Sequence, residues 1–264
     1  MSPSEIDIVN FLTELFNNGE CYSAINTARS ALSVIISNDS GLTIGKFPSV
    51  KRFMKGVFEL RPPLPRYSYI WDVNIVFSYL MNFYPYEGIC LSNLTFKLVM
   101  LLALTTAQRA QTLHVLNIDN FIFYEDSVLI PINSLIKQST VRNRKFSIHL
   151  KAYKADPSIC VLEALKLYIE RTKNLRQDTK QLFISFHKPH HAVSKQTISR
   201  WIKKVLYEAG IDVSCFGAHS TRSAASSKFK SNNVPIDDIL KTAGWANNRT
   251  FQKYYDKSIM MDIN

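Results

Sequence analysis

Apolar residues along this chain recur mostly at helical spacing, and the pattern breaks in two places. Over residues 4–16, Ile6, Ile8, Val9, Phe11, Leu12, Leu15 and Phe16 predict one helix, and Asn17-Asn18-Gly19 ends it. Residues 22–37 predict a second, with Ile25, Ala28, Leu32, Ile35 and Ile36 on one face and Arg29 elsewhere on the turn. A loop rich in Asn, Ser and Gly follows. Residues 49–60 then predict a basic amphipathic helix, with Lys51, Arg52 and Lys55 beside Val50, Phe53, Val57 and Phe58. The first break is Arg61-Pro62-Pro63-Leu64-Pro65-Arg66-Tyr67. Three prolines in four residues cannot continue a helix and favour extended backbone. The flanking arginines suggest a path close to something anionic. The expected organisation is a short helical domain over 1–61, a Pro-rich linker over 62–70 and a larger domain over 71–264.

The larger domain opens with helices over 72–80, capped by Asp72, and 92–106, capped at Ser92. A turn at 105–109 leads into a helical segment at 111–116. Here comes the second break, as the period shortens to two. Residues 121–124 and 128–131 predict a hairpin around Glu125-Asp126, and 145–150 a third strand of a small antiparallel meander. A polar basic loop, 137–145, joins strands two and three. Helical patterns return at 157–172, 194–209 (begun by Ser194, stopped by Gly210), 221–230, 235–242 and 248–255, with a short strand at 182–186. The fold class is therefore mainly α with a small antiparallel β-sheet (α+β).

Composition narrows the partner. Of 264 residues, 46% are hydrophobic and 20% charged, which describes a globular chain. Lys plus Arg exceeds Asp plus Glu by 32 to 21, a formal charge of +11 that favours a polyanion, nucleic acid before membrane. The longest apolar run, 98–104, is far too short to cross a bilayer, and the first residues lack the features of a signal peptide. A soluble intracellular protein is expected. Cys21, Cys90, Cys160 and Cys215 lie far apart without a CxxC pair, which suits reduced, mostly buried thiols. His187, His190 and His191 have no carboxylate or cysteine at ligand spacing and read as a solvated loop, so no metal site is expected; His114 and His149 read as structural.

The chemistry gathers in the last fifty residues. Ala218-His219-Ser220-Thr221-Arg222 is followed by Gly244-Trp245 and by Tyr254-Tyr255. A guanidinium can neutralise non-bridging phosphate oxygens, an imidazole can move a proton, and a phenol oxygen can attack phosphorus.

Five segments in order carry a resemblance: residues 101–109 ending in Arg109, the loop at Lys137, His219-Ser220-Thr221-Arg222, Ala243-Gly244-Trp245, and Thr250-Phe251-Gln252-Lys253-Tyr254-Tyr255. From about residue 80 onward the chain resembles the catalytic domain of the tyrosine recombinase (phage integrase) family, and more closely the recombinases of DIRS-type and Crypton mobile elements. The helices before the linker resemble a shortened core-binding domain. The resemblance implies two domains closing as a C-shaped clamp on double-stranded DNA, self-association from dimer to tetramer on it, and no cofactor, membrane or small-molecule substrate. It implies a nuclear location in a eukaryote and a cytoplasmic one otherwise.

It also implies roles. Arg109 and Arg222 would clamp the scissile phosphate, and Lys137 would protonate the leaving 5′ oxygen. His219 would assist proton movement at the nucleophile, and Trp245 would donate its indole N–H to a phosphate oxygen. The commonest family spacing from Trp245 reaches Tyr254. The more similar relatives instead place an aromatic residue just before the nucleophile, which selects Tyr255, with Tyr254 the alternative. Lys51, Arg52, Lys55, Arg66, Arg142, Arg144, Lys195 and Arg200 are the candidate DNA contacts. One departure is Thr112, at a position where many relatives carry an acidic residue. The expected activity is site-specific DNA cleavage and rejoining through a 3′-phosphotyrosyl intermediate, supporting recombination or integration of a mobile element. Two alternatives are a lapsed, domesticated DNA-binding protein and an enzyme like the type IB topoisomerases.

Overall fold

Helix α1, Glu5–Asn17, starts where Ser4 and Asp7 close a reciprocal capping box, the Ser4 hydroxyl accepting from the Asp7 N–H and the Asp7 carboxylate from the Ser4 N–H. The computed structural model describes residues 3–36, 43–63, 67–134, 136, 146–245 and 248–260, and the chain divides into two units, Met1–Arg66 and Tyr67–Asn264. In the first unit, α1 packs with α2 (Tyr22–Ile35) and α3 (Pro48–Leu60). Ile8, Leu12, Ile25, Ile44, Val50, Met54 and Val57 form its core. Arg61 stacks 3.9 Å over the Phe16 ring and donates to the carbonyls of Phe16 and Glu20. This arginine therefore ties α3 back to α1 rather than serving as the anion-facing linker residue expected of it. Arg66 lies outside the described residues.

The second unit begins with β1 (Tyr69–Ile70) and α4 (Val73–Met81), whose first turn is capped by Asp72. Helix α5, Leu91–Thr106, is its axis, with α7, α8 and α9 packed against it. It is apolar on nearly every side because nearly every side is covered. Thr95, Thr105 and Thr106 fit there because each hydroxyl bonds the carbonyl four residues back. The helix starts at Leu91 with Cys90, not Ser92, in the capping position, and the Ser92 hydroxyl contacts the Cys90 sulfur at 3.1 Å. A short helix, α6 (Ala110–His114), follows.

Strands β2 (Ile122–Phe123), β3 (Ser127–Ile132) and β4 (Phe146–Lys151) form an antiparallel sheet in that order, with Ile130 opposite Ile148 and Val128 opposite Leu150. These four side chains and Ile132 turn into the core, as a period of two requires. Then come α7 (Val161–Thr172), α8 (Lys195–Glu208, capped by Ser194), α9 (Ser220–Ser231), α10 (Ile236–Ala243) and α11 (Asn248–Tyr254). Finally β5, Ser258–Ile259, lies parallel to β1.

Two further expectations change, and one feature is added. Residues 182–186 form no strand, only a single bridge between Ile184 and Ala192, since the chain turns back on itself at once. Of the four cysteines, all free, Cys160 is buried but Cys21 and Cys90 are exposed and Cys215 intermediate, so the thiols are not mostly buried. The parallel pair of β1 and β5 was not foreseen, for two-residue strands carry no periodicity. Among the described residues no helix is long and apolar enough to cross a membrane.

One polar residue in α5 is out of character. Lys97 is fully buried, its ammonium 4.8 Å from the Tyr86 ring centre and 5.9 Å from that of Tyr84. Burial pushes it down to about 8 from an ordinary 10.5, against a small opposing pull from Asp156. Below pH 8 the side chain is charged in both folded and unfolded chains, and the fold carries the whole burial cost. That cost fades as pH rises from about 8 to 10.5. Lys97→Met is therefore expected to raise unfolding stability by about 2–3 kcal/mol at pH 7. It should also remove the wild-type gain in stability between those two pH values, as urea unfolding across the range would record.

Candidate active site

The site is assembled where two helices end. Helix α5 stops at Ala107, in the left-handed region (φ 50°, ψ 30°), and α10 stops at Gly244, also left-handed (φ 67°, ψ 40°). Helix C-termini leave carbonyls without intrahelical partners and carry partial negative charge. Arg222, on the first turn of α9, projects between them. Its Nη1 donates to the Ala107 carbonyl at 2.6 Å and its Nη2 to the Ala243 carbonyl at 2.7 Å. Gln108 spans the same two ends, donating to the carbonyls of Thr242 and Thr106. A guanidinium only 1% exposed is thus held by two helix termini rather than by a carboxylate.

Arg109 occupies the turn between α5 and α6 and is half-buried. Burial, and after it the neighbouring Arg109 guanidinium, lowers Arg222 to about 9, so the group stays charged at neutral pH at an electrostatic cost. Arg222 Nε, Arg109 Nη1 and Trp245 Nε1 are all buried with no hydrogen-bond partner among the described residues. Unpaired buried donors on two adjacent cations suit an oxyanion, which would satisfy the donors and offset the repulsion.

The aromatic side of the site is built by the chain after α10. Trp245 lies 4.3 Å from the Arg222 guanidinium and stacks on Tyr255 at 4.6 Å between ring centres, with Phe251 behind it at 5.5 Å. The Tyr255 ring also faces Arg222, at 5.4 Å. Tyr255 is 8% exposed, and its Oη is 3.3 Å from His219 Nε2. His219 itself, at the N-terminal end of α9, is exposed. Tyr254 is 54% exposed. A cavity of roughly 470 Å³ opens beside this group, lined by Arg109, His219 and Arg222 and, from α8, by Lys195, Gln196 and Ser199.

Of the residues singled out in the sequence, Arg109, His219, Arg222, Trp245, Tyr255 and Lys195 meet here. Lys137, Arg142 and Arg144 lie outside the described residues. Arg200 is on α8 but bonds the Thr197 hydroxyl instead of lining the cavity. The basic helix α3 divides its cations: Lys51 and Lys55 line one depression of the first unit with Arg29 and Tyr22, and Arg52 another with Glu5. Thr112 is buried, and its N–H bonds the Arg109 carbonyl. His190 bonds the Ser185 carbonyl, and among the described residues no group of His, Cys, Asp and Glu is arranged to hold a metal.

The sequence reading missed the supports. Trp71 donates its indole N–H to the Ser220 hydroxyl at 3.0 Å, and Asp72 pairs with Lys228 at 3.3 Å, so the segment after the linker braces α9. Ala107 and Ala243 act through backbone carbonyls, which no side-chain pattern announces.

The fold has clear relatives among solved structures. The XerH site-specific recombinase, in a post-cleavage complex with its palindromic difH substrate, superposes with a TM-score of 0.62 at 14% identity, covering 94% of this chain and 67% of that one. The Tn1549 transposon integrase in complex with transposon right end DNA gives 0.61 at 12% identity, with 96% and 80% covered. A lambda integrase dimer bound to a COC′ core site gives 0.58 at 14% identity, with 99% and 68% covered. This chain thus spans about two thirds of the length of the XerH and lambda integrase chains. At such identities the likeness establishes the fold. No curated protein matches the chain in sequence. The model of the phage integrase family, however, matches residues 79–260, the span that holds both arginines, the histidine, the indole and both tyrosines, and the chain therefore belongs to the phage integrase family, the tyrosine recombinases.

Proposed function

We propose that the chain cleaves and rejoins DNA strands at specific sites in the service of a mobile element, with Tyr255 as nucleophile. The observation that carries this reading is the Tyr255 hydroxyl 3.3 Å from His219, its ring stacked on Trp245 and facing the buried Arg222. Arg109 and Arg222 hold the non-bridging oxygens of the scissile phosphate with the N–H donors that the protein leaves unpaired, and Trp245 adds its indole N–H. Two of Arg222's five N–H groups are already engaged by Ala107 and Ala243, so it contributes a fixed charge and its remaining donors rather than a free fork. Tyr255 Oη forms a bond to phosphorus as its proton passes to His219, and the bond from phosphorus to the 5′ oxygen breaks. That oxygen takes a proton, in this reading from Lys137. The product is a 3′-phosphotyrosyl ester and a 5′ hydroxyl. Attack by a 5′ hydroxyl on the same phosphorus reverses the step and releases Tyr255, so rejoining needs no high-energy cofactor.

The DNA-bound XerH, lambda and Tn1549 structures support duplex DNA as the partner, and the lambda integrase dimer and tetramer support assembly on it. The formal charge of +11 makes binding strongly dependent on salt. The Tn1549 neighbour and the aromatic Tyr254 immediately before Tyr255 favour the mobile-element setting. Placement with DIRS-type and Crypton recombinases rests on the sequence resemblance. The rival reading, a binder that no longer cuts, draws on the buried Thr112.

A suicide-substrate assay separates the two. Nicked duplexes tiling the ends of the element that encodes the chain are incubated with the protein and resolved on a denaturing gel. A protein–DNA adduct is the expected result. Tight, site-selective binding without an adduct from wild-type protein would establish the lapsed binder instead.

A further inference from the structure

Ser227 lies on α9 five residues after Arg222 and is 4% exposed. Its hydroxyl bonds the chain on both sides of the nucleophile. Oγ donates to the Tyr255 carbonyl at 2.9 Å and accepts from the Lys257 N–H at 3.0 Å. The neighbouring Ser226 behaves as mid-helix serines usually do, bonding the carbonyls of Arg222 and Ser223 in its own helix. Ser227 instead serves a segment 28 residues away. Helix α9 consequently holds Tyr255 at two points, the phenol oxygen through His219 and the backbone through Ser227 two turns on.

The tyrosine has other ties, its ring stacking on Trp245, its N–H bonding the Phe251 carbonyl and Lys230 of α9 pairing with neighbouring Asp256; what Ser227 adds is a bond to its carbonyl. Tyr255 sits one residue past the end of α11, a helix of seven residues, where the backbone carbonyls have no helical partner. Beyond it, β5 pairs with β1 over only two residues, continued by one bond from the Met260 N–H to the Ile70 carbonyl. We propose that Ser227 is a positioning residue for strand cleavage: a two-way clip that keeps the Tyr255 phenol in register with His219 and Arg222 of the same chain. The proposal rests on the reading of Tyr255 as nucleophile. Ser227 touches no reacting atom and acts only through the backbone of the residue that does.

The test uses the full chain with two substitutions. Ser227→Ala removes both bonds while favouring the helix, and Ser227→Thr keeps the hydroxyl. Two quantities are read: amide hydrogen exchange at Lys257 in the free protein, and the single-turnover rate of adduct formation on saturating nicked duplex. Ser227→Ala is expected to speed Lys257 exchange at least about tenfold and slow adduct formation about 10- to 100-fold, with DNA affinity and thermal midpoint close to wild type; Ser227→Thr restores both readouts. Unchanged exchange at Lys257 in the alanine variant would overturn the clip. Faster exchange with a wild-type rate of adduct formation would overturn the positioning role. If wild-type protein forms no adduct, the recombinase reading fails and takes the positioning role with it, while the exchange experiment still decides whether the clip exists. Ser227→Cys, of similar volume but a weaker hydrogen-bonding group, carries the same comparison if the alanine variant does not fold.

Discussion

Tyr255→Phe is expected to abolish the covalent protein–DNA adduct altogether, and Tyr254→Phe to leave it within about twofold of wild type. Phenylalanine keeps the ring that stacks on Trp245 but has no oxygen to attack phosphorus, so folding and DNA binding survive and only the chemistry is lost. The asymmetry between the two tyrosines follows from helical geometry. Tyr254 ends α11 and the Tyr255 N–H still bonds the Phe251 carbonyl four residues back, so the two side chains diverge by about the 100° of consecutive helical residues, and turning Tyr255 toward Arg222 and His219 turns Tyr254 away from them. The outcome is already visible in burial, 8% exposed against 54%. Denaturing gels of the two variants on nicked duplex decide the matter. An adduct that survives Tyr255→Phe and vanishes with Tyr254→Phe would transfer the nucleophile to Tyr254 and overturn the site as assembled here.

Arg222→Lys is expected to slow adduct formation about 10²- to 10³-fold, the usual loss when one preorganised donor to a developing oxyanion is removed. The substitution keeps the charge, so any loss reports geometry. A lysine ammonium has three donors at a single point and cannot span the carbonyls of Ala107 and Ala243 while also facing a phosphate. It also loses the flat face that Trp245 and Tyr255 pack against. Overall DNA affinity should fall only modestly, because one phosphate contact among many changes little in a strongly basic protein. Single-turnover rates at saturating DNA, set beside equilibrium binding at fixed salt, make the distinction. A lysine variant that cuts at the wild-type rate would show that charge alone suffices and that the two helix ends are not there to aim the guanidinium.

Much of this site could be read before any coordinates. His219 and Arg222 are three residues apart, and the first turn of a helix brings them to one end of α9. The order of Arg109, the His219–Arg222 pair, Trp245 and the tyrosines was legible because each is a side chain with its own chemistry. Helices α5, α7 and α8 and the β2–β3–β4 meander were legible for a different reason. Burying one face of a helix or a strand imposes a period of 3.6 or of two on the sequence, and both periods are there to be counted. What stayed hidden has no such signature. The Ser92 cap was misplaced by two residues because local chemistry at a helix start does not decide its first turn. Arg61 read as an anion contact because a sequence cannot say that the Phe16 ring and two carbonyls are within its reach.

The sequence by itself therefore determined most of the helices and the three-stranded meander, and it marked the groups proposed for the chemistry and the excess of positive charge. These follow from periodicity, residue type and net charge, all properties of a chain read locally. Only the tertiary structure decided that Arg222 is a buried cation held by two helix ends, that Tyr255 rather than Tyr254 faces it, and that Ser227 and Trp71 brace the helix and tail between them. The reason is physical. These contacts join residues between 21 and 149 positions apart, several of them through backbone carbonyls that every residue possesses, and only the packed fold selects which carbonyl lies within hydrogen-bonding distance of which donor.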